Sequence, residues 1–321
     1  MSQITYCGIT DTGKKRKNNQ DSILTYEDST HDFYLFAVAD GMGGYSDGEV
    51  ASRMITDGLK RWAVTLFYGE DQAASESKPK DNQSTLDMTE QESVTEESKA
   101  VQDEGTEDDD IIPEAFDFES VSQDDQDAVI TEDYATEYSA TGELSAIEVC
   151  EALKAELHKL NKKIHTQLNR NQICGSTVIV LFLYKGSYAI VNAGDSRVYR
   201  LEGLKARSLM IDDIWENRNQ EALKLTKEQQ QKHPHRGRLV NAMGTTENVK
   251  LYTDAGALKK RDVFLLCSDG LYKYCDQKRI NASLRWSILQ DPKKRVKNLL
   301  EEVYKTGAKD NISIIIVKCN I

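Results

Sequence analysis

The chain has 321 residues, enough for one large domain or two small ones, and with 39% hydrophobic residues it can bury a core. Its formal charge of −12 is uneven: residues 71–140 carry 23 acidic side chains against three lysines, a net −20, which leaves +8 on the rest. Six cysteines without a C-x-x-C pair, first residues that do not look like a signal peptide and no apolar run near the ~18 residues of a membrane span argue against a disulfide framework, a secreted chain and a membrane span. A cytoplasmic protein with reduced thiols and no membrane partner is expected.

In chain order, residues 34–39 (YLFAVA) form an apolar run that ends at Asp40-Gly41, the pattern of a buried strand stopping at a loop. Val50, Ala51, Met54, Ile55, Trp62 and Leu66 then recur at helical spacing, with Asp47 as the expected N-cap. Residues 70–141 are rich in Asp, Glu, Ser, Thr and Gln and lack a sustained apolar period. Such a segment buries too little apolar surface to offset chain entropy, so an insertion without a fold is expected. Ile147, Cys150, Leu153, Leu157, Leu160, Ile164 and Leu168 mark a long amphipathic helix. Residues 177–184, 188–192 and 197–201 read as a strand meander with tight turns. Strands are expected at 263–267 and 312–317, with a helix between them through Val296, Leu299, Leu300 and Val303. Helices and strands mix without regular βαβ alternation, which predicts α+β layers.

Four stretches share an acid beside Gly or Asn at the end of an apolar strand: Asp40-Gly41, Gly194-Asp195, Asp269-Gly270 and Asp310-Asn311. One such dipeptide is ordinary turn chemistry. Four, each next to a predicted strand, place partly desolvated carboxylates where like charges repel unless a cation sits among them. Oxygen-only ligands select hard cations, Mg²⁺ or Mn²⁺, and the five histidines show no zinc-ligand spacing.

These residues resemble, in order, the motifs of the metal-dependent protein phosphatases of the 2C type (PPM), in the style of their compact bacterial members. Arg16 through Asp21 is similar to R-x-x-N-[QE]-D, and residues 40–44 to D-G-M-G-G. Residues 175–177 resemble G-[ST]-T and residues 192–197 N-x-G-D-S-R. His233-Pro234 through Gly244 looks like the H-P…A-x-G stretch, and Ser268-Asp269-Gly270 and Asp310-Asn311 complete the set. The resemblance covers residues 1–67 and about 145–321, so one domain over 1–321 interrupted by the acidic 70–141 insertion is implied.

The resemblance implies a four-layer αββα sandwich, two antiparallel sheets flanked by helices. It also implies a hydrolase that cleaves phosphoserine and phosphothreonine phosphomonoesters with a metal-bridged water, opposing a cognate Ser/Thr kinase in signalling. Carried over by position, Asp40, the Gly41 carbonyl, Asp195, Asp269 and Asp310 hold two or three Mn²⁺ or Mg²⁺ ions. Asp40 bridges two of them, and Asp195 with Asp269 holds the third. Arg16 grips the substrate phosphate, and Arg16, Asp40 and Asp269 form the catalytic core. Gln20, Asp21 and Asn311 support the ligands or their waters. Ser176, Ser196, Cys267 and Ser268 are expected to pack or to support the ligands, and not to attack phosphorus.

Three places depart from the family pattern: Gln20 stands where Glu is common, Tyr45 follows the glycine loop where His is common, and the flap, residues 211–231, lacks the usual D-H-S element and shows Asp212-Asp213-Ile214-Trp215 instead. His233 is expected to pack in that flap. Two other readings are weaker: a scaffold with a decayed metal site would have lost ligands, and a nucleic-acid enzyme would show a basic stripe with aromatics in place of a −20 insertion. No nucleic-acid partner and a monomer are expected.

Overall fold

The computed structural model describes residues 4–43, 47–70, 144–169, 173–285 and 291–320. The expectation of an unfolded insertion lies outside the described residues, as do Gly44 and Tyr45.

Eleven strands and eight helices run through these residues: β1 (Ile4–Asp11), β2 (Asp21–Asp28), β3 (Phe33–Met42), α1 (Asp47–Tyr68), α2 (Ala146–Leu168), β4 (Gly175–Ser176), β5 (Val178–Tyr184), β6 (Ser187–Ala193), β7 (Arg197–Glu202), β8 (Lys205–Ser208), α3 (Trp215–Arg218), α4 (Gln220–Leu223), α5 (Lys227–Gln231), β9 (Tyr252–Ala257), β10 (Val263–Cys267), α6 (Asp269–Tyr272), α7 (Gln277–Leu284), α8 (Pro292–Lys305) and β11 (Ile312–Cys319). The strands form two sheets, ordered β1-β11-β10-β7-β8 and β2-β3-β5-β6-β9, with short β4 against β3. Every strand pairing is antiparallel.

Period-two alternation explains the layers. On β3, Phe33, Leu35, Ala37 and Ala39 face α1 and α2 with Ile55, Leu59, Leu153 and Leu157. The intervening Tyr34, Phe36 and Val38 face the other sheet and meet Phe264, Leu266, Ile315 and Val317. Leu265, Ile314 and Ile316 point outward again, onto Val296, Leu299 and Val303 of α8. Central strands are therefore apolar on both faces, and the αββα sandwich follows.

Helix starts follow their local chemistry. Ser145 caps α2 in a capping box with Glu148, and Asp291 caps α8 ahead of Pro292. Asp47 lies inside the first turn of α1 and so does not act as its N-cap. The expected meander is corrected at one step. The strands β5 and β6 do pair, but β7 pairs with β10 in the other sheet, so residues 194–196 cross from one sheet to the other. Gly194, with φ of 119°, makes that crossing; a Cβ there would lie 2.6 Å from Thr177 Cβ.

Candidate metal-binding active site

The acids identified in the sequence gather at one end of the sandwich because the strands that carry them end there. Asp40 ends the buried run of β3, and Asp21 opens β2 directly opposite it in the ladder. Asp269 follows β10, Asp310 precedes β11, and Asp195 lies in the crossover between sheets. Burial and mutual repulsion act on Asp40, Asp21, Asp195 and Asp310. Burial, reinforced by Asp21, Asp269, Asp195 and Asp310, holds the Asp40 carboxyl well above its ordinary value. Burial raises Asp21 to about 7 against donation from Ser268 and Ser313, with Asp269 and Asp310 adding repulsion. Asp195 also rises to about 7, through burial and then Asp269, with Lys273 opposing. Burial and Asp269 raise Asp310, while Arg16 pulls it back.

The floor beneath these acids is close-fitting. A Cβ on Gly270 would sit 1.8 Å from the Asn311 carbonyl oxygen, and one on Gly41 would sit 2.1 Å from the Gly48 carbonyl oxygen. Only glycine allows these backbones to approach so closely. Asn311 donates from Nδ2 to the carbonyls of Thr12 and Asn18, at 3.0 Å each, and its Oδ1 accepts from the Gln20 N–H at 2.9 Å. Gln20 reaches the Gly43 carbonyl at 3.2 Å, and its own carbonyl accepts from the Gly41 N–H and from Ser52 Oγ. Gln20 and Asn311 thus hold the backbone that presents the acids. Thr177 Oγ1 accepts from the Asp40 N–H and lies 2.7 Å from Ser196 Oγ. Ser268 Oγ donates to Asp21 Oδ2 at 2.7 Å and accepts from the Ser313 N–H. Cys267 is fully buried and its thiol is pushed far up by that burial, so neither it nor Ser268 is placed to attack a substrate.

Two cations reach into the cluster. Arg16 forks onto Asp310, with Nε 2.9 Å from Oδ1 and Nη2 3.2 Å from Oδ2. Lys273 Nζ lies 2.5 Å from Asp269 Oδ2 and 3.9 Å from Asp195 Oδ2. Among the described residues, no three His, Cys, Asp or Glu side chains stand grouped as a metal ion would need. Arg16 holds Asp310, and Lys273 holds Asp269 and faces Asp195. In kind and charge the donors still suit a hard cation: they are all oxygen, mutually repelling, and include a buried Asp21 Oδ1 with no hydrogen-bond partner.

Lys273 and Tyr272, whose hydroxyl donates to Asp195 Oδ2 at 3.2 Å, escape a reading by motif. Their one signal is position, three and four residues beyond Asp269 on the turn that carries it. The flap is anchored by ion pairs: Arg197 forks onto Asp212, and Arg218 Nε meets fully buried Asp213 at 2.8 Å. Asp213 also accepts from the Gly194 N–H and from Asn241, which ties the flap to the sheet crossover. His233 stacks flat on Trp215, rings 4.0 Å apart, as packing predicts.

No family model matches the chain. It is 27% identical to the serine/threonine phosphatase stp of Listeria welshimeri over 185 residues, 56% of this chain and 72% of that protein. The Streptococcus agalactiae serine/threonine phosphatase structure superposes with a TM-score of 0.65 at 20% identity, covering 98% of both chains. The catalytic domain of the serine threonine protein phosphatase PstP, solved in complex with two manganese ions, superposes with a TM-score of 0.59 at 20% identity, covering 98% of this chain and 97% of that one.

Proposed function

We propose, from the premise that the chain belongs to the metal-dependent protein phosphatases of the 2C type, that it is a serine/threonine phosphoprotein phosphatase dependent on Mn²⁺ or Mg²⁺. The observation that carries this reading is the set of acids at converging strand ends, held by backbone too close-fitting for any residue but glycine. The catalytic unit is a single domain with residues 70–141 inserted between α1 and α2.

When bound, the ions supply Lewis-acid neutralisation and an activated water at neutral pH. Asp40, with the Gly41 carbonyl, Asp269 and Asp310 are the residues to hold a pair of them. Whether a third is held depends on Asp195 and Asp269 both being available as ligands. Asp21 lies directly behind Asp40 and adds charge to the cluster without facing substrate. Asn311 and Gln20 fix the loop that carries Arg16. The Arg16 guanidinium presents a planar fork that matches two phosphate oxygens as well as it matches Asp310. A phosphate therefore binds by exchange: it takes the N–H groups that Asp310 occupies, and orients phosphorus over the acids.

Phosphoserine and phosphothreonine proteins are the substrates, and the reaction opposes a Ser/Thr kinase. The enzyme acts as a monomer in the cytoplasm. Among the described residues no helix is long and apolar enough to cross a membrane.

The test is release of inorganic phosphate from a phosphothreonine peptide with Mn²⁺, with Mg²⁺ or with EDTA. Turnover with metal that EDTA abolishes is expected. Turnover that survives EDTA, or none with any metal from folded protein, would overturn the reading.

A further inference from the structure

We propose that Lys273 supplies a built-in cation between Asp195 and Asp269, so that the site takes two divalent ions and not three. This rests on the phosphatase reading of the same site.

The ammonium lies against both carboxylates, at 2.5 Å from Asp269 Oδ2 and 3.9 Å from Asp195 Oδ2. An exposed lysine four residues from an aspartate on a helix is ordinarily a weak surface pair. Here the two acid side chains are only 15% and 11% exposed, while the lysine, at 48%, reaches down to them from the rim. Carboxylates with so little access to water take much of their compensation from a neighbouring cation, and Lys273 is placed to supply it.

Asp195 is satisfied a second time by its neighbour on the same turn. The Tyr272 hydroxyl donates to Asp195 Oδ2 at 3.2 Å and lies 3.1 Å from the Asp195 carbonyl. Tyr272 is itself fixed: the Arg197 guanidinium lies 3.5 Å above its ring and is forked onto Asp212. Consecutive side chains, one positive and one a hydroxyl donor, thus converge on the same carboxylate oxygen. A divalent ion between Asp195 and Asp269 would have to expel the ammonium and turn the Tyr272 hydroxyl away. Arg16 differs: it pairs with Asp310 alone of these acids, and its fork has an alternative partner in the substrate phosphate.

Lys273 is a positioning residue here: it neutralises the Asp195–Asp269 edge and leaves Asp40, Asp269 and Asp310 to hold the ion pair. A tethered charge is not diluted away, so the edge stays neutralised at any metal concentration.

The experiment is equilibrium dialysis of the full chain against millimolar Mn²⁺, with bound metal counted by elemental mass spectrometry and folding followed by circular dichroism. About two equivalents are expected for the wild type and for Lys273→Arg, which keeps the charge. Asp195→Asn should also retain about two, since Asp195 would hold neither ion. Lys273→Met, nearly as long but neutral, should take up about one more equivalent, bound more weakly than the first two. Three equivalents in the wild type, loss of one in Asp195→Asn, or no gain in folded Lys273→Met would overturn the inference and leave the phosphatase reading standing. No bound Mn²⁺ in any of the proteins would overturn both.

Discussion

The floor of the site and the flap beside it are held by different kinds of contact. In the floor, the close contacts involve backbone: Gly270 lies against the Asn311 carbonyl, Gly41 against Gly48, and the Asn311 side chain gathers the carbonyls of Thr12 and Asn18. In the flap, side chains meet side chains: Arg197 with Asp212, Arg218 with Asp213, and Trp215 with His233. Backbone contacts fix shape and leave no room for a different residue. Side-chain pairs fix position and are exchangeable for other pairs. Chemistry placed on the floor is therefore rigid, whereas the flap is held by contacts that other side-chain pairs could replace.

The sharpest break in the floor is Gly270→Ala. Its Cβ would overlap the Asn311 carbonyl, so the backbone must shift, and a loss of about 4 kcal/mol or more in unfolding free energy is expected by urea titration. An unchanged midpoint would show that the floor is looser than described. In the flap, Arg218→Ala leaves Asp213 buried with only neutral partners, which should cost about 3–5 kcal/mol. It should also raise KM for a phosphopeptide more than for a small aryl phosphate. Equal effects on both substrates would contradict a role for the flap in substrate contact. Ser268→Ala removes the hydroxyl that donates to Asp21 and accepts from Ser313, an expected loss of about 1–2 kcal/mol. No change in thermal midpoint would place Asp21 outside the floor network.

The acids also set a pH dependence. Asp21 and Asp195 are raised to about 7, above their unfolded values, so the folded metal-free protein binds more protons than the unfolded chain between about pH 4 and 7. The stability these groups contribute is fully present below that window and is lost as pH rises through 7. The metal-free thermal midpoint should fall from pH 5 to pH 8. Added Mn²⁺, which competes with those protons, should raise it more at pH 8 than at pH 5. The opposite order would mean that the acids do not share a cation.

Much of this architecture is legible in the chain. The strands β5, β6, β10 and β11 are apolar on both faces, because the sandwich buries both, and such runs stand out from any neighbour. The edge strands β1, β2 and β9 carry mixed polar side chains with partial exposure, and their sequence has no comparable run. The step after β6 misleads because Ala193-Gly194-Asp195 has the composition of a hairpin turn. Whether such a glycine turns the chain back or carries it to the other sheet is decided by packing against Thr177, which local sequence does not contain. Aspartates at strand ends could be picked out because acid, glycine and strand recur together. Tyr272 and Lys273 could not, since a lysine following an aspartate by four residues on a helix has the pattern of an ordinary surface pair, and only the proximity of Asp195 changes its meaning.

The central claim is that Asp40 and its neighbours hold the catalytic cation, and Asp40→Asn tests it most directly. Hydrolysis of p-nitrophenyl phosphate over a Mn²⁺ titration should fall at least about a thousandfold in this variant. Its circular dichroism should match the wild type, and the Mn²⁺-induced rise in thermal midpoint should be lost. Wild-type turnover and an unchanged Mn²⁺ response in folded Asp40→Asn would contradict the account.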